Sequence, residues 1–307
     1  MKVFKVYTHS LICLTLFLSI SCIQAAGSGT DIATESIATK ARIALAVSDL
    51  SIGTHRLAFG IIEPGIGPIK NDEVRLETFF LQDEKNPLLK ETLAAKFQEW
   101  PSSNKGVYTS SVTFDRAGKW GIGVTFEASN GLIKKTSSVI EVSEKSLAPI
   151  VGDKAYPSRN ITLASTGDMK ELTTDPNPYF SFYEYSIEES INEGLFSLII
   201  FGSPAFCTTG TCGPQMDIVK KLSADFSKQM VFIHVEIYEN PSDIKGDLSN
   251  ASVVQAVKDW NLPSEPWIFL VDEDGIVRQR FEGLATYQEI KSALIQNNFI
   301  SSKFSSK

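Results

Sequence analysis

Two cysteines in the second half of the chain have the types and spacing that redox chemistry needs. Cys207 and Cys212 lie in the segment Phe206-Cys-Thr-Thr-Gly-Thr-Cys-Gly-Pro-Gln215. Apolar residues recur at helical spacing after this segment, which predicts a helix from Pro214 to about Ser227. A cysteine at the amino end of a helix faces unpaired N–H groups and the positive end of the helix dipole. Both favour the thiolate, which is the nucleophilic form of cysteine.

Cys207 and Cys212 are also the only two thiols expected in the mature chain. The sequence has four cysteines, and Cys13 and Cys22 belong to the amino-terminal leader. An exported protein meets conditions that permit disulfides. The Thr-Thr-Gly-Thr segment between Cys207 and Cys212 is flexible enough to bring their Cα atoms to the roughly 6 Å of a disulfide.

Residues 1–26 have the features of a signal peptide. Lys2 and Lys5 precede a short apolar run from Leu11 to Ile20, and small residues follow. The run is shorter than the about 20 residues needed to cross a bilayer. Cleavage before Cys22 would leave a lipidated cysteine and a membrane anchor, whereas cleavage after Ala25 or Ala26 would release a free product. Both alternatives predict an exported protein that is periplasmic or associated with the cell envelope.

The rest of the chain divides into a tether, a β-rich domain, a linker and an α/β domain. Residues 27–40 are small and polar, which is typical of a tether. Residues 41–145 alternate apolar and polar side chains between turn signals, which predicts an immunoglobulin-like β-sandwich. Gly106-Val-Tyr and Gly118-Lys-Trp-Gly resemble immunoglobulin-like modules of exported bacterial proteins. Residues 146–178 are rich in Pro, Ser, Thr and Asp and form the predicted linker, an extended strap.

Residues 179–300 have the period of alternating strands and helices, with the order βαβαββα of a thioredoxin-like fold. The predicted elements are a strand Phe180–Tyr185, a helix Ser186–Asn192, a buried strand Leu195–Phe201, the helix after the cysteines, a strand Val231–Tyr238, a helix Ser252–Trp260, a hairpin of Trp267–Asp272 with Ile276–Phe281, and a helix Thr286–Asn297.

The cysteine segment resembles the active site of thioredoxin. Cys212-Gly-Pro matches the first three residues of the thioredoxin motif Cys-Gly-Pro-Cys, but Gln215 stands where the family has its second cysteine. Cys207 must then act as the partner of Cys212. A second register treats Cys207 as the nucleophile and the loop as an enlarged Cys-x-x-Cys. The first register, with Cys212 as nucleophile, is favoured because Gly-Pro follows Cys212 directly.

Pro266 is a further thioredoxin-like feature. It lies in Ser264-Glu265-Pro266-Trp267, just before the predicted hairpin, where the resemblance implies a cis-proline facing the cysteines. Its cis bond would expose the backbone of Glu265 to a substrate peptide. From about Leu50 to the end, the chain resembles exported bacterial two-domain proteins with Cys-x4-Cys-Gly-Pro and Glu-Pro-Trp. This resemblance implies a thioredoxin-like fold and a redox function, but it does not imply a substrate.

His234 and Glu236 are unusual because they lie in a predicted central strand. Alternation places both on one face, near the strand end beside the cysteine loop. Thioredoxins have a buried acid that moves protons beneath the cysteine pair, and either residue could serve in that role. The alternative is that two polar residues pair structurally where the strand leaves the sheet.

Charge and composition narrow the function further. The 29 Lys and Arg against 36 Asp and Glu, without a basic cluster, exclude nucleic-acid binding. The sequence predicts a thiol–disulfide oxidoreductase that acts on protein thiols and disulfides without a cofactor. Three alternatives remain open: a binding module with a structural disulfide, a thiol peroxidase using Thr209 and Cys212, and a copper-handling protein whose two thiolates act with His234.

Overall fold

The structure is a computed structural model that describes residues 41–83, 85–101, 105–244 and 246–301. The expected signal peptide, Cys22 and the tether 27–40 lie outside the described residues. All described residues belong to one compact unit, so the division into two domains stays a prediction. Among the helices that the structure describes, none is long and apolar enough to cross a membrane.

The first part of the chain forms one antiparallel sheet of eight strands. They are β1 (Arg42–Leu45), β2 (Gly53–Glu63), β3 (Gly67–Pro68), β4 (Glu73–Phe80), β5 (Leu88–Glu99), β6 (Gly106–Phe114), β7 (Gly118–Glu127) and β8 (Ile133–Val142). Their order is β1-β2-β6-β5-β4-β7-β8, and β3 pairs with β2. The sequence predicts two facing sheets, whereas hydrogen bonds here link every strand into one.

This sheet curves around its own apolar core. Leu57, Phe59 and Ile61 alternate along β2 and are fully buried on the inner face. The two end strands of the sheet approach each other, and the Thr136 hydroxyl of β8 donates to the Ala41 carbonyl beside β1 at 2.7 Å. The region is therefore close to a barrel.

The segment between the two sheets is less extended than the predicted strap. It contains two short helices, α1 (Leu163–Thr166) and α2 (Met169–Leu172). The predicted strand Phe180–Tyr185 is wrong, because a 3-10 helix occupies Phe180–Tyr183. Phe182 and Tyr183 are consecutive and both buried. A strand would point consecutive side chains to opposite faces, so this aromatic pair favours a helical turn.

The remaining elements build a mixed four-stranded sheet with helices. They are α3 (Ile187–Asn192), β9 (Ser197–Phe201), α4 (Cys212–Phe226), β10 (Val231–Val235), α5 (Pro241–Ile244), a 3-10 helix (Leu248–Asn250), α6 (Gln255–Asp259), β11 (Trp267–Val271), β12 (Val277–Glu282) and α7 (Tyr287–Gln296). The order is β10-β9-β11-β12, with β9 and β10 parallel and β11 antiparallel to β9. From β9 onward the predicted elements occur in the predicted order, but α5 and the 3-10 helix Leu248–Asn250 are additional, and β10 ends at Val235 rather than at Tyr238.

Two half-buried arginines join the eight-stranded sheet to the four-stranded one. The Arg56 Nε atom of β2 lies 2.8 Å from Glu289 Oε1 of α7. The Arg280 guanidinium of β12 lies 3.0 Å from Asp49 Oδ2. Burial raises the pKa of Asp49, but hydrogen bonds from Ser146 and Leu147 and the charge of Arg280 outweigh it, so the net direction is downward. The contact thus holds an ionised pair.

Candidate active site

Three segments meet at one end of the four-stranded sheet. Phe201, the last residue of β9, pairs with Val235 on one side and with Trp267, the first residue of β11, on the other. Gly202 follows directly. A Cβ atom placed on Gly202 would lie 3.5 Å from Pro266 Cβ and 3.6 Å from Cys212 Sγ. The backbone at Gly202 therefore lies against both the cysteine and the proline.

Cys207 and Cys212 form a disulfide with a Cα–Cα distance of 5.9 Å. Cys212 is the first residue of α4 and only 1% exposed, whereas Cys207 is partly exposed. The favoured register makes Cys212 the nucleophile, whereas in the disulfide form Cys207 is the more accessible of the two. Burial of Cys212 follows from its place in the first turn of an amphipathic helix that packs on the sheet.

The Cys207 sulfur also has the better hydrogen-bond donors. It accepts from the Cys212 backbone N–H at 3.3 Å and from the Thr209 hydroxyl at 3.2 Å. The N–H belongs to the first turn of α4, where backbone donors lack helical partners. Donors to a sulfur stabilise its negative charge, so after reduction both contacts would favour a thiolate at Cys207.

The Glu265 carboxyl group lies beside the buried sulfur. Its Oε2 atom is 3.5 Å from Cys212 Sγ and accepts the Ser203 backbone N–H at 2.7 Å. Burial raises the pKa of Glu265 to about 7, the charge of Glu236 acts in the same direction, and the Ser203 hydrogen bond opposes both. Glu265 is therefore poised to gain or lose a proton near neutral pH, as an acid–base group requires.

From the sequence, only the backbone of Glu265 is expected to contact a substrate, and the position of its carboxyl group beside the cysteines is not predicted. The available signal was its place directly before Pro266, which was expected to face the cysteines. The Glu265–Pro266 peptide bond is cis, as predicted, and Pro266 is buried.

His234 lies in β10 but does not contact either cysteine. Its Nε2 atom donates to the Gly202 carbonyl at 2.8 Å, and its Nδ1 atom accepts from the Tyr183 hydroxyl at 2.6 Å. Both ring nitrogens are therefore used by the fold. Burial lowers the pKa of His234, which keeps the ring neutral, as this hydrogen-bond pattern requires.

Glu236 lies one residue beyond the end of β10 and is buried. Its Oε2 atom accepts from the Thr174 backbone N–H at 2.8 Å and from the Thr174 hydroxyl at 2.9 Å. Its Oε1 atom accepts from the Ile237 N–H at 3.0 Å. Glu236 thus anchors the segment before the 3-10 helix to the sheet. The charge of Glu236 also helps to raise the pKa of Glu265.

Gln215 occupies the position of the missing second cysteine and has a structural contact. It is fully buried, and its Oε1 atom accepts the Ala285 backbone N–H at 2.7 Å. This bond ties the first turn of α4 to the loop that precedes α7. A cysteine side chain is too short to make this hydrogen bond. The bond is therefore consistent with Gln215 in place of the second cysteine of Cys-Gly-Pro-Cys.

Among the described residues, the one group of three potential metal ligands is Cys207, Cys212 and Glu265. Their ligand atoms all lie within 4.8 Å of one another. His234 is not part of this group, although the sequence analysis combined it with the cysteines as a copper site. The three residues could act together on a proton, on a substrate sulfur or on a cation.

Comparison with known proteins leaves the family open. No family model and no curated protein matches the chain. One solved structure with similarity is described as a thiol:disulfide interchange protein, DsbE, from Chlorobium tepidum. It is 18% identical, covers 34% of this chain and 84% of its own, and has a TM-score of 0.28. A superoxide reductase (neelaredoxin) from Ignicoccus hospitalis is 12% identical over 34% of this chain and 80% of its own, with a TM-score of 0.21. Scores this low do not establish a shared fold.

Proposed function

We propose that the protein is an exported thiol–disulfide oxidoreductase with a thioredoxin-like catalytic region. Cys207 is the attacking cysteine, and Cys212 is the resolving one. The observation that carries the proposal is the asymmetry of the pair: the sulfur of the partly exposed Cys207, with two donors, is bonded to the sulfur of the buried Cys212, which has a carboxyl group 3.5 Å away. Redox-active pairs need this division between an accessible nucleophile and a protected partner.

The exchange proceeds in two balanced steps. The Cys207 thiolate attacks one sulfur of a substrate disulfide, and the other substrate sulfur leaves as a thiolate that takes a proton from water. The Cys212 thiol then gives its proton to the Glu265 carboxylate, and its sulfur attacks Cys207 Sγ. This forms the Cys207–Cys212 disulfide and releases the second substrate sulfur. Two electrons pass from the protein to the substrate, and the reverse sequence oxidises a substrate dithiol.

Glu265 supplies the base that deprotonates the Cys212 thiol in the second step. Cys212 is buried, so its thiol has little access to water as a base. The Glu265 Oε2 atom lies close enough to accept the S–H hydrogen directly once the disulfide is opened. A carboxyl group with a pKa of about 7 can also return the proton when the reaction runs backward.

Two of the alternatives fit the geometry less well. A peroxidase would need Thr209 beside an accessible Cys212, but Thr209 contacts Cys207 and Cys212 is buried. A purely structural disulfide would not require a carboxyl group at the sulfur. It would also close a loop whose cysteines are only 5 positions apart. In the chain-entropy model a short loop contributes about 2 kcal/mol, less than a long one.

A second candidate function is metal binding by the reduced site. Two thiolates and a carboxylate are ligands that Zn²⁺ accepts, and thiolates alone suit Cu⁺. Titrating the reduced protein with either ion, while following the reactivity of its thiols, tests this. Protection that weakens in Glu265→Gln would support a three-ligand site, and thiols that stay fully reactive would exclude it.

Serine variants of the two cysteines test the oxidoreductase proposal. In Cys212→Ser the mixed disulfide at Cys207 cannot be resolved. We therefore expect this variant to form covalent adducts with a protein that contains disulfides, such as insulin. Cys207→Ser should form none. Non-reducing gel electrophoresis with mass spectrometry reads both results. Adducts on Cys207→Ser alone would restore Cys212 as the nucleophile, and adducts on neither variant would contradict oxidoreductase activity.

A further inference from the structure

A cleft of about 440 Å³ lies beside the disulfide, between the two sheets. Residues of β1 and β2 form one wall, and the cysteine loop and the turn before Pro266 form the opposite wall. Thr209, Thr211 and Glu265 line that second wall. Since Thr209 contacts Cys207 and Glu265 contacts Cys212, the cleft reaches both ends of the redox pair.

Small residues on the sheet side leave the cleft open. Ala44, Ala58 and Gly60 line this wall. A Cβ atom placed on Gly60 would come no closer to a neighbour than 4.0 Å, at the Ala44 carbonyl oxygen. Strands otherwise favour β-branched and aromatic residues, so three small ones side by side leave room that a strand normally fills.

The surface inside the cleft is mainly apolar and partly exposed. Leu45 is 39% exposed and Ile62 is 43% exposed, and both line it. Exposed apolar side chains that gather in one concavity mark a binding site more often than scattered ones do. An apolar group of a substrate would therefore gain by entering here.

Charges in the cleft favour some substrates over others. Glu265 and Glu282 both line the cleft, and the Glu265 Oε2 atom lies 3.5 Å from Cys212 Sγ. The Glu282 carboxylate accepts from the Ser48 N–H at 2.8 Å and the Ser264 hydroxyl at 2.7 Å, so it is fixed there. Lys105 lies on the opposite wall and is exposed to solvent. Acidic groups beside the sulfur repel an anionic disulfide such as glutathione disulfide.

We propose that this cleft binds a bulky apolar side chain next to the reacting cysteine of a substrate. The substrate class is then a protein or peptide disulfide with an apolar neighbour, rather than an anionic small disulfide. This inference rests on the proposed oxidoreductase function. It also gives the eight-stranded sheet a role, because that sheet provides one wall of the substrate site.

The test compares three disulfides with cleft variants of the full chain. The probes are a peptide disulfide with Phe beside the cysteine, the same peptide with Asp in place of Phe, and hydroxyethyl disulfide as a small neutral reference. Ala44→Leu and Gly60→Leu each fill the cleft. Ala94→Leu is the matched control, because Ala94 is exposed on β5 and does not line the cleft.

The wild type should reduce the Phe peptide faster than the Asp peptide by at least about tenfold, as one apolar side chain in a pocket can provide. Both cleft variants should lose most of that preference, and Ala94→Leu should keep both the preference and the rate on hydroxyethyl disulfide. No preference in the wild type, or a preference that survives both cleft variants with native circular dichroism, would overturn the inference alone. No reduction of hydroxyethyl disulfide would overturn the proposed function as well.

Discussion

Two carboxyl groups lie at the same end of the four-stranded sheet, and only one of them faces a sulfur. Glu236, after β10, is buried and accepts three hydrogen bonds. Glu265, before β11, is half-buried and accepts one, from Ser203. A carboxylate has about four lone-pair sites, so Glu236 is largely satisfied and Glu265 is not. In the proposed mechanism, Glu265 therefore differs from Glu236 in having unfilled hydrogen-bonding capacity beside Cys212 Sγ.

The difference between Glu265 and Glu236 should affect the rate of thiol–disulfide exchange most strongly. Glu265→Gln removes the proton acceptor for Cys212, and we expect resolution of the mixed disulfide near pH 8 to slow by about 100-fold, within the range for a general base. Glu236→Gln serves as the matched control and should stay within about twofold, because its carboxylate does not touch Cys212. Stopped-flow measurement of both variants gives the rates. Equal slowing in the two would erase the distinction.

For stability we expect the opposite: Glu236→Gln should lower the free energy of unfolding more than Glu265→Gln does. Glu236→Gln replaces an acceptor with an NH₂ group opposite the Thr174 N–H or the Ile237 N–H, which leaves a buried donor unsatisfied. We expect the free energy of unfolding to fall by about 1–3 kcal/mol. Glu265→Gln should cost less, because the amide oxygen can still accept from Ser203. Urea denaturation of the two variants in parallel measures the difference, and a larger loss in Glu265→Gln would contradict it.

A smaller effect concerns the pH dependence of stability. The pKa of Glu265 rises from 4.5 to about 7 on folding. Between these values the folded chain holds a proton that the unfolded chain has released. Stability should therefore decrease as pH rises from about 4.5 to 7, and this contribution is absent in Glu265→Gln. Melting temperatures of wild type and variant across this range measure it. Parallel curves would mean that Glu265 titrates normally.

Much of the four-stranded region could be predicted because its signals are local. The capping residues Ser186 and Thr286 each accept from a glutamate N–H three residues later, and α3 and α7 begin where the sequence predicts. The β11–β12 hairpin is likewise confirmed, around Asp274-Gly275. By contrast, the continuity of the eight-stranded sheet depends on which distant strands pair. Strand alternation gives the faces of a strand but does not identify its neighbours.

In the candidate site, too, features that depend on residues close in the sequence could be predicted, and features that depend on distant residues could not. The disulfide is predicted from two cysteines that lie close together in the sequence, and the cis bond before Pro266 is what the resemblance to thioredoxin implies; the structure has both. The direction of the Glu265 side chain depends on the Ser203 backbone, which lies 62 positions away. His234 and Glu236 were expected near the cysteines because the predicted strand continued to Tyr238. The strand ends at Val235, and Thr174 and Tyr183 from the preceding segment occupy their polar atoms.

The relative reactivity of the two thiols tests most directly whether Cys207 is the attacking cysteine. The fully reduced protein is treated at pH 7 with less than one equivalent of iodoacetamide, and the labelled peptides are counted by mass spectrometry. Because Cys207 is partly exposed with two donors at its sulfur and Cys212 is buried, label on Cys207 should exceed label on Cys212 by at least about tenfold. Equal labelling, or a majority on Cys212, would contradict the assignment of Cys207 as the attacking cysteine.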